Sequence, residues 1–223
     1  LIQKKNGLCF GTDALLLAAF IRSQKHANAV EFGSGTGIIS LLCARREKFE
    51  KIRAIEIQPA YAALTARNAV RNGLSDRIET ICADIRTLGG ETADVVFSNP
   101  PYMQCGNGDE SEDEGRQIAR HEVHGDIAAF CRAAFSTLRY GGLFYLVYRP
   151  DRLTDLICAL RAARLEPKRM RFVQQDEKHM PSLVLIEAKK GAAASVKLMP
   201  TLFLTENGST GAEMRAILES GNM

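Results

Sequence analysis

Between residues 29 and 148 one pattern recurs: a short apolar run, a turn, then a stretch with apolar residues at helical spacing. Short apolar runs read as buried strands. A helix-length segment between consecutive strands is the crossover that a parallel pair requires. Strands are expected over residues 29–32, 52–57, 77–83, 93–98 and 143–148. Helices are expected over 14–21, from the loop after residue 32 to about 46, and over 59–72, 127–138 and 153–164. Thr12 or Asp13 is placed to cap the first of these. Pro59 suits a first helical turn, Gly73 a helix end, and Gly141-Gly142 the end of the helix over 127–138. Residues 170–174 and 183–188 then follow as two strands with only a loop between them, which predicts an antiparallel hairpin at one edge. The expected fold class is α/β: a mostly parallel seven-stranded sheet with helices on both faces. We expect a single domain over 1–223, with a helical segment at 1–27 and a tail at 192–223 packed on the core.

Composition narrows the class. With 223 residues, 46% apolar and 25% charged, the chain can bury a sizeable core and is neither disordered nor fibrous. The longest apolar run, residues 14–21, is far short of the ~20 residues of a membrane span. No basic-then-apolar signal segment opens the chain, and Leu1 in place of Met leads us to expect native residues ahead of it. The net charge of +3 is too small to announce a nucleic-acid binder, but its distribution is uneven. Five acids crowd residues 109–114, while Arg161, Arg164, Lys168, Arg169 and Arg171 form a candidate phosphate-contacting patch or an ordinary solvated face. The six cysteines (Cys9, Cys43, Cys82, Cys105, Cys131, Cys158) show neither C-x-x-C nor paired-His spacing. No metal site and a reducing cytoplasm are expected.

The strongest local signal is Glu31-Phe32-Gly33-Ser34-Gly35-Thr36-Gly37, at the end of the first parallel strand and the start of a helix. Glycines let the chain turn sharply and let a ligand approach without a Cβ in the way. Position 38, where a dinucleotide fingerprint wants its third glycine, is Ile38, and no Gly-Lys-Ser/Thr of a P-loop is present. Glu31 would repel a phosphate but suits an ammonium group. S-adenosylmethionine (SAM) presents an ammonium beside a sulfonium, and its carboxylate suits a helix N-terminus. Glu56, ending the next strand with Ile57 after it, can accept both ribose hydroxyls. Asp84, ending the third with Ile85 beside it, can meet the adenine amino group. Each acid alone is usually a cap or loop residue; three at successive strand ends beside the glycines carry more weight.

Asn99-Pro100-Pro101-Tyr102 closes the strand over 93–98. An exocyclic or amide nitrogen is a poor nucleophile because its lone pair is delocalised. Two fixed acceptors for its N–H hydrogens favour a pyramidal nitrogen with the lone pair aimed at a methyl group. Asn99 offers a side-chain carbonyl, Pro100 a main-chain carbonyl, and Tyr102 a flat stacking face. The prolines fix φ and stay out of any strand ladder, although Pro-Pro by itself is most often a plain turn. No strong base is needed, so His121 reads as a hydrogen-bonding residue and catalysis as positioning by placed dipoles.

These residues resemble the class I SAM-dependent methyltransferases of the Asn-Pro-Pro-Tyr branch. Together with Phe10-Gly11-Thr12-Asp13-Ala14-Leu15-Leu16-Leu17 and Ala119-Arg120-His121-Glu122, they resemble the valine-tRNA adenine-37 N6-methyltransferase family over nearly the whole chain. That resemblance implies a Rossmann-like methyltransferase fold with SAM held by Glu31, Gly33, Gly35, Gly37, Glu56, Ile57, Asp84, Ile85 and Asn99. It implies a target base held by Asn99, Pro100 and Tyr102, a tRNA partner, no membrane and no metal. Oligomeric state stays open between monomer and weak dimer. The tail departs from the family at Ser209, where a Tyr is expected before the Thr. Rivals stay open too: a glutamine-amide or ribosomal RNA amino-methyltransferase with the same four-residue turn, and a non-catalytic RNA-binding protein of this fold.

Overall fold

The computed structural model describes residues 1–3, 11–88, 93–101 and 127–223. In chain order these give α1 (Thr12–Phe20), β1 (Asn28–Phe32), α2 (Ile38–Arg45), β2 (Lys51–Glu56), α3 (Pro59–Arg71), β3 (Ile78–Cys82) and β4 (Ala93–Ser98). There follow α4 (Ile127–Thr137), β5 (Leu138–Tyr148), α5 (Leu153–Ala162), β6 (Leu165–Gln174) and β7 (Leu183–Lys190). The tail adds the two-residue strands β8 (Lys197–Leu198), β9 (Leu202–Phe203), β10 (Thr205–Glu206) and β11 (Ser209–Thr210), then α6 (Ala212–Ser220).

The main sheet runs β3-β2-β1-β4-β5-β7-β6-β8, with β9 also paired to β6. β1 to β5 are parallel. β7 is antiparallel to both β5 and β6. The expected hairpin is therefore present, but its second strand inserts inward rather than lying at the edge. β8 and β9 bring the sheet to nine strands, two more than expected, because the irregular tail folds back parallel to β6.

Side-chain alternation builds a core on each face. Val95 and Phe97 of β4, with Tyr145 and Val147 of β5, join α1, α2 and α6. Val96, Phe144, Leu146 and Tyr148 join α4 and α5 on the other side. Phe49 stacks on Phe97 at 6.1 Å, and Phe20 meets Tyr145 edge-on at 6.2 Å. At the end of α1 the Lys48 Nζ, with the residue 1% exposed, donates to the carbonyls of Ala18, Ala19 and Ile21. A cation there satisfies carbonyls that the helix itself leaves without donors.

One boundary departs from expectation. Gly141 and Gly142 do not end the preceding helix, which stops at Thr137; they lie inside β5. Opposite them the β4–β5 register shifts between Ala93 and Val95, a bulge. A Cβ at Gly142 would stand 2.9 Å from the Arg139 carbonyl oxygen and 3.0 Å from that of Asp94. The glycines thus mark a close backbone approach within a strand.

Candidate active site

β1, where the strand order reverses, has β2 on one side and β4 on the other. Crevices at the carboxyl ends of strands at such a switch point are where α/β sheets hold ligands. Register places Phe32 beside both Ile55 and Ser98, and Glu56 beside Cys82. Gly33, Glu56, Asp84 and Asn99 therefore leave the sheet along one edge, on neighbouring strands spaced ~4.8 Å apart.

The glycine loop turns in the left-handed region at Gly33, Gly35 and Gly37, with φ of 68°, 55° and 80°. At Gly37 a Cβ would also lie 2.8 Å from the Thr65 methyl of α3. Thr65 and Asn68, both buried on α3, buttress the loop: Thr65 Oγ1 donates to Gly35 O at 2.9 Å and Asn68 Nδ2 to Thr36 O at 2.9 Å.

Two buried carboxylates face this loop from different strands. Glu31 accepts from the Ser40 backbone N–H at 3.1 Å and from its hydroxyl. Burial pushes its carboxyl up to about 8, against the pull of the two Ser40 bonds and with help from the charge of Glu56. Glu56 accepts from Gly35 N–H at 2.8 Å and Gln58 N–H at 2.9 Å, and burial raises its pKa as well. Asp84 caps a short 3-10 turn, accepting from Arg86 N–H and from the Arg86 guanidinium, which holds it below the usual carboxylate range. Ile57 and Ile85 are half-buried beside these acids.

At the end of β4, Ser98 Oγ donates to the Phe32 carbonyl at 2.9 Å, tying β4 to β1 where the loop begins. Asn99 follows half-buried and Pro100 buried. The Asn99 amide nitrogen donates to Asp13 Oδ2 of α1 at 2.8 Å. Asp13 does not act as an N-cap: that position is Gly11, with no side-chain cap, and Asp13 sits within the first turn.

The family model described as the methyltransferase small domain matches residues 5–154. The chain belongs to that family. Among curated relatives of this methyltransferase-family chain, a tRNA1(Val) (adenine(37)-N6)-methyltransferase from Phocaeicola vulgatus is 31% identical over 182 residues, covering 80% of this chain and 76% of the relative. One of the same name from Flavobacteriaceae bacterium strain 3519-10 is 34% identical over 116 residues, 52% of this chain, and the match spans half of that relative's length. A solved structure from Agrobacterium tumefaciens, described as a predicted O-methyltransferase, superposes with TM-score 0.76 at 21% identity, covering 94% of this chain and 97% of that one. That likeness establishes the Rossmann-like class I methyltransferase fold.

The fold of this methyltransferase gathers Glu31, Gly33, Gly35, Gly37, Glu56, Asp84 and Asn99 at one sheet edge. Tyr102, the acidic run 109–114 and Arg120-His121-Glu122 lie outside the described residues. The candidate phosphate patch is not one open surface. Arg171 is 3% exposed and grips Glu213 of α6 through two bonds of 2.6 Å, and Arg169 lies 4.0 Å over the Phe20 ring. Arg161 pairs with Glu166, and Arg164 sits over Phe135. Two of the five basic residues are thus structural latches. Ser40, Thr65 and Asn68 escaped the sequence reading. Their one signal was polarity at buried helical positions, with Thr65 and Asn68 three apart on one face of α3. Among the described residues no cluster of three His, Cys, Asp or Glu could hold a metal ion, and no helix is long and apolar enough to cross a membrane.

Proposed function

We propose that this chain methylates the exocyclic N6 of an adenine in tRNA, at position 37 of a valine tRNA as the names of its relatives indicate, in the cytoplasm and with SAM as methyl donor. The observation that carries the reading is the position of Asn99-Pro100 at the end of β4, which Ser98 ties to the glycine-loop strand; we assign these two residues as the acceptor pair.

The site's own chemistry fits SAM. Among the described residues, Gly33 and Gly35 have no heavy atom within 4 Å of where a Cβ would stand, so the described part of the loop leaves room for close approach. Buried Glu31 suits an ammonium group, and Glu56, which accepts from the backbone N–H groups of Gly35, Gln58 and Ile57, keeps a further lone pair for the ribose hydroxyls. Asp84 and Ile85 would flank the adenine. When bound, SAM supplies an electrophilic methyl group on a sulfonium.

What the chain contributes is placement. Asn99 and the Pro100 carbonyl accept the two N–H bonds of the target amine, which favours a nitrogen lone pair directed at the methyl carbon. After transfer the nitrogen is cationic and sheds a proton readily, so no residue need act as a strong base. An anticodon-loop adenine is already unpaired, which lowers the cost of turning it out of its stack.

The test is transfer of label from tritiated SAM to total tRNA of a strain lacking the enzyme, followed by mass mapping of the modified nucleoside. N6-methyladenosine in tRNA is the expected result. Protein that binds SAM yet labels no tRNA refutes the reading, and label in ribosomal RNA or in a glutamine amide redirects it.

A further inference from the structure

We infer that Asp13 is a positioning residue that sets which way round the Asn99 amide sits, and so decides whether the site offers an acceptor to the incoming amine. The inference rests on the amine-methylating role proposed for Asn99.

The two ends of an asparagine side chain are nearly isosteric, yet one is an acceptor and the other carries two donors. Turned the wrong way, Asn99 would oppose its own NH2 to the NH2 of the substrate, and the lone pair would gain no guidance. A local device must therefore choose between the two orientations. An ionised carboxylate can only accept, so the 2.8 Å contact between Asp13 Oδ2 and the Asn99 side chain can be made only by the Asn99 NH2 group. With that group turned to Asp13, the carbonyl oxygen is directed to the other side of the amide.

Asp13 is itself held. Its second oxygen, Oδ1, accepts the Ala14 backbone N–H at 2.8 Å, in the first turn of α1, where the helix field favours a negative charge. Room for this arrangement comes from Gly11, since a Cβ there would lie 2.8 Å from the same oxygen. The two residues are 86 positions apart in sequence, so the contact exists only once α1 has docked beside the end of β4.

The experiment compares Asp13→Ala, Asp13→Asn, Asn99→Ala and the Asp13→Ala/Asn99→Ala double variant by single-turnover methyl transfer to tRNA. Calorimetric SAM binding and thermal melts accompany it. Asp13→Ala is expected to lower the transfer rate ten- to hundredfold, the range of one charge-assisted hydrogen bond, with SAM affinity and the KM for tRNA within about threefold. Asp13→Asn keeps an acceptor for Ala14 N–H but can hold Asn99 either way round, so it should melt like the parent and fall between the parent and Asp13→Ala in rate. The double variant should be no slower than Asn99→Ala, because without an amide there is nothing to orient.

Parental rates in Asp13→Ala, rate losses that add in the double variant, or SAM affinity falling in step with rate would each overturn the inference. Parental transfer in Asn99→Ala would instead overturn the proposed chemistry itself, which keeps the two failures apart.

Discussion

Replacing Glu31 by Gln should make the ligand-free protein more resistant to denaturant at alkaline pH while weakening SAM binding. Glu31 is 1% exposed, and its carboxyl keeps its proton up to about pH 8, whereas an unfolded chain releases it near 4.5. A folded pKa above the unfolded one means that the native state binds more protons between those values, so stability drops as pH climbs through the window. At ~1.36 kcal/mol per pH unit, the gap between 4.5 and about 8 corresponds to roughly 5 kcal/mol by the time Glu31 is fully ionised. The gap is this wide because desolvation outweighs the two bonds from Ser40, and because the Glu56 charge adds to it. Gln has no proton to lose, so the term vanishes. Urea unfolding of parent and variant at pH 5, 7 and 9 isolates it, since other titrating groups largely cancel in the difference. The variant's advantage should be under about 1 kcal/mol at pH 5 and approach roughly 5 kcal/mol at pH 9. A difference that stays flat across that range, or changes in the opposite sense, refutes the reasoning. Isothermal calorimetry at pH 8.5 should show weakened SAM binding in the same variant, since the charge that disfavours the empty fold is the one proposed to meet the ammonium group.

Asn99→Ala should lower methyl transfer a hundred- to thousandfold, the usual effect of deleting one placed dipole, with SAM affinity within a few-fold; parallel rate and binding assays check this. Lys48→Met should destabilise the fold by about 1–3 kcal/mol near pH 10, where carbonyls of Ala18, Ala19 and Ile21 lose their shared donor, and by less at pH 7, where the variant also escapes the cost of burying the ammonium, as urea unfolding at the two pH values would show. The parent should meanwhile gain stability between pH 8 and 10.5, since burial lowers the Lys48 pKa to about 8 and the unfolded chain binds the extra proton there. Arg171→Ala should cost about 2–3 kcal/mol by freeing Glu213 and expose the tail to limited proteolysis, read as early cleavage within residues 192–212.

The parts of the molecule legible in the sequence were those governed by local rules. Residues 93–98 read as a buried strand and form one to the residue, and Pro59 opens α3 as its fixed φ requires. The glycine loop and the acids Glu31, Glu56 and Asp84 could be assigned to one edge because strand ends in a parallel sheet share an edge. What escaped depends on contacts between distant segments. Gly141 and Gly142 carry the same local signal whether they end a helix or ease a bulge, and the partner strand decides between them. Arg171 reads as a surface cation until Glu213, 42 residues later, closes over it. Asp13 reads as a helix cap because nothing near it in sequence announces Asn99. The added strands β8 and β9 are two residues each, too short for periodicity to register.

The inward placement of β7 has a consequence for how the chain matures. The outer edge of β5, with Phe144, Tyr145, Leu146 and Val147 buried in the finished protein, pairs with residues that leave the ribosome some forty positions later. Until residues 183–190 emerge, that edge presents bare backbone donors and acceptors on a strongly apolar strand, a template for pairing with another nascent chain. Genes cut short before this strand should therefore yield insoluble product even though every element from the glycine loop to Asn99 has already been translated.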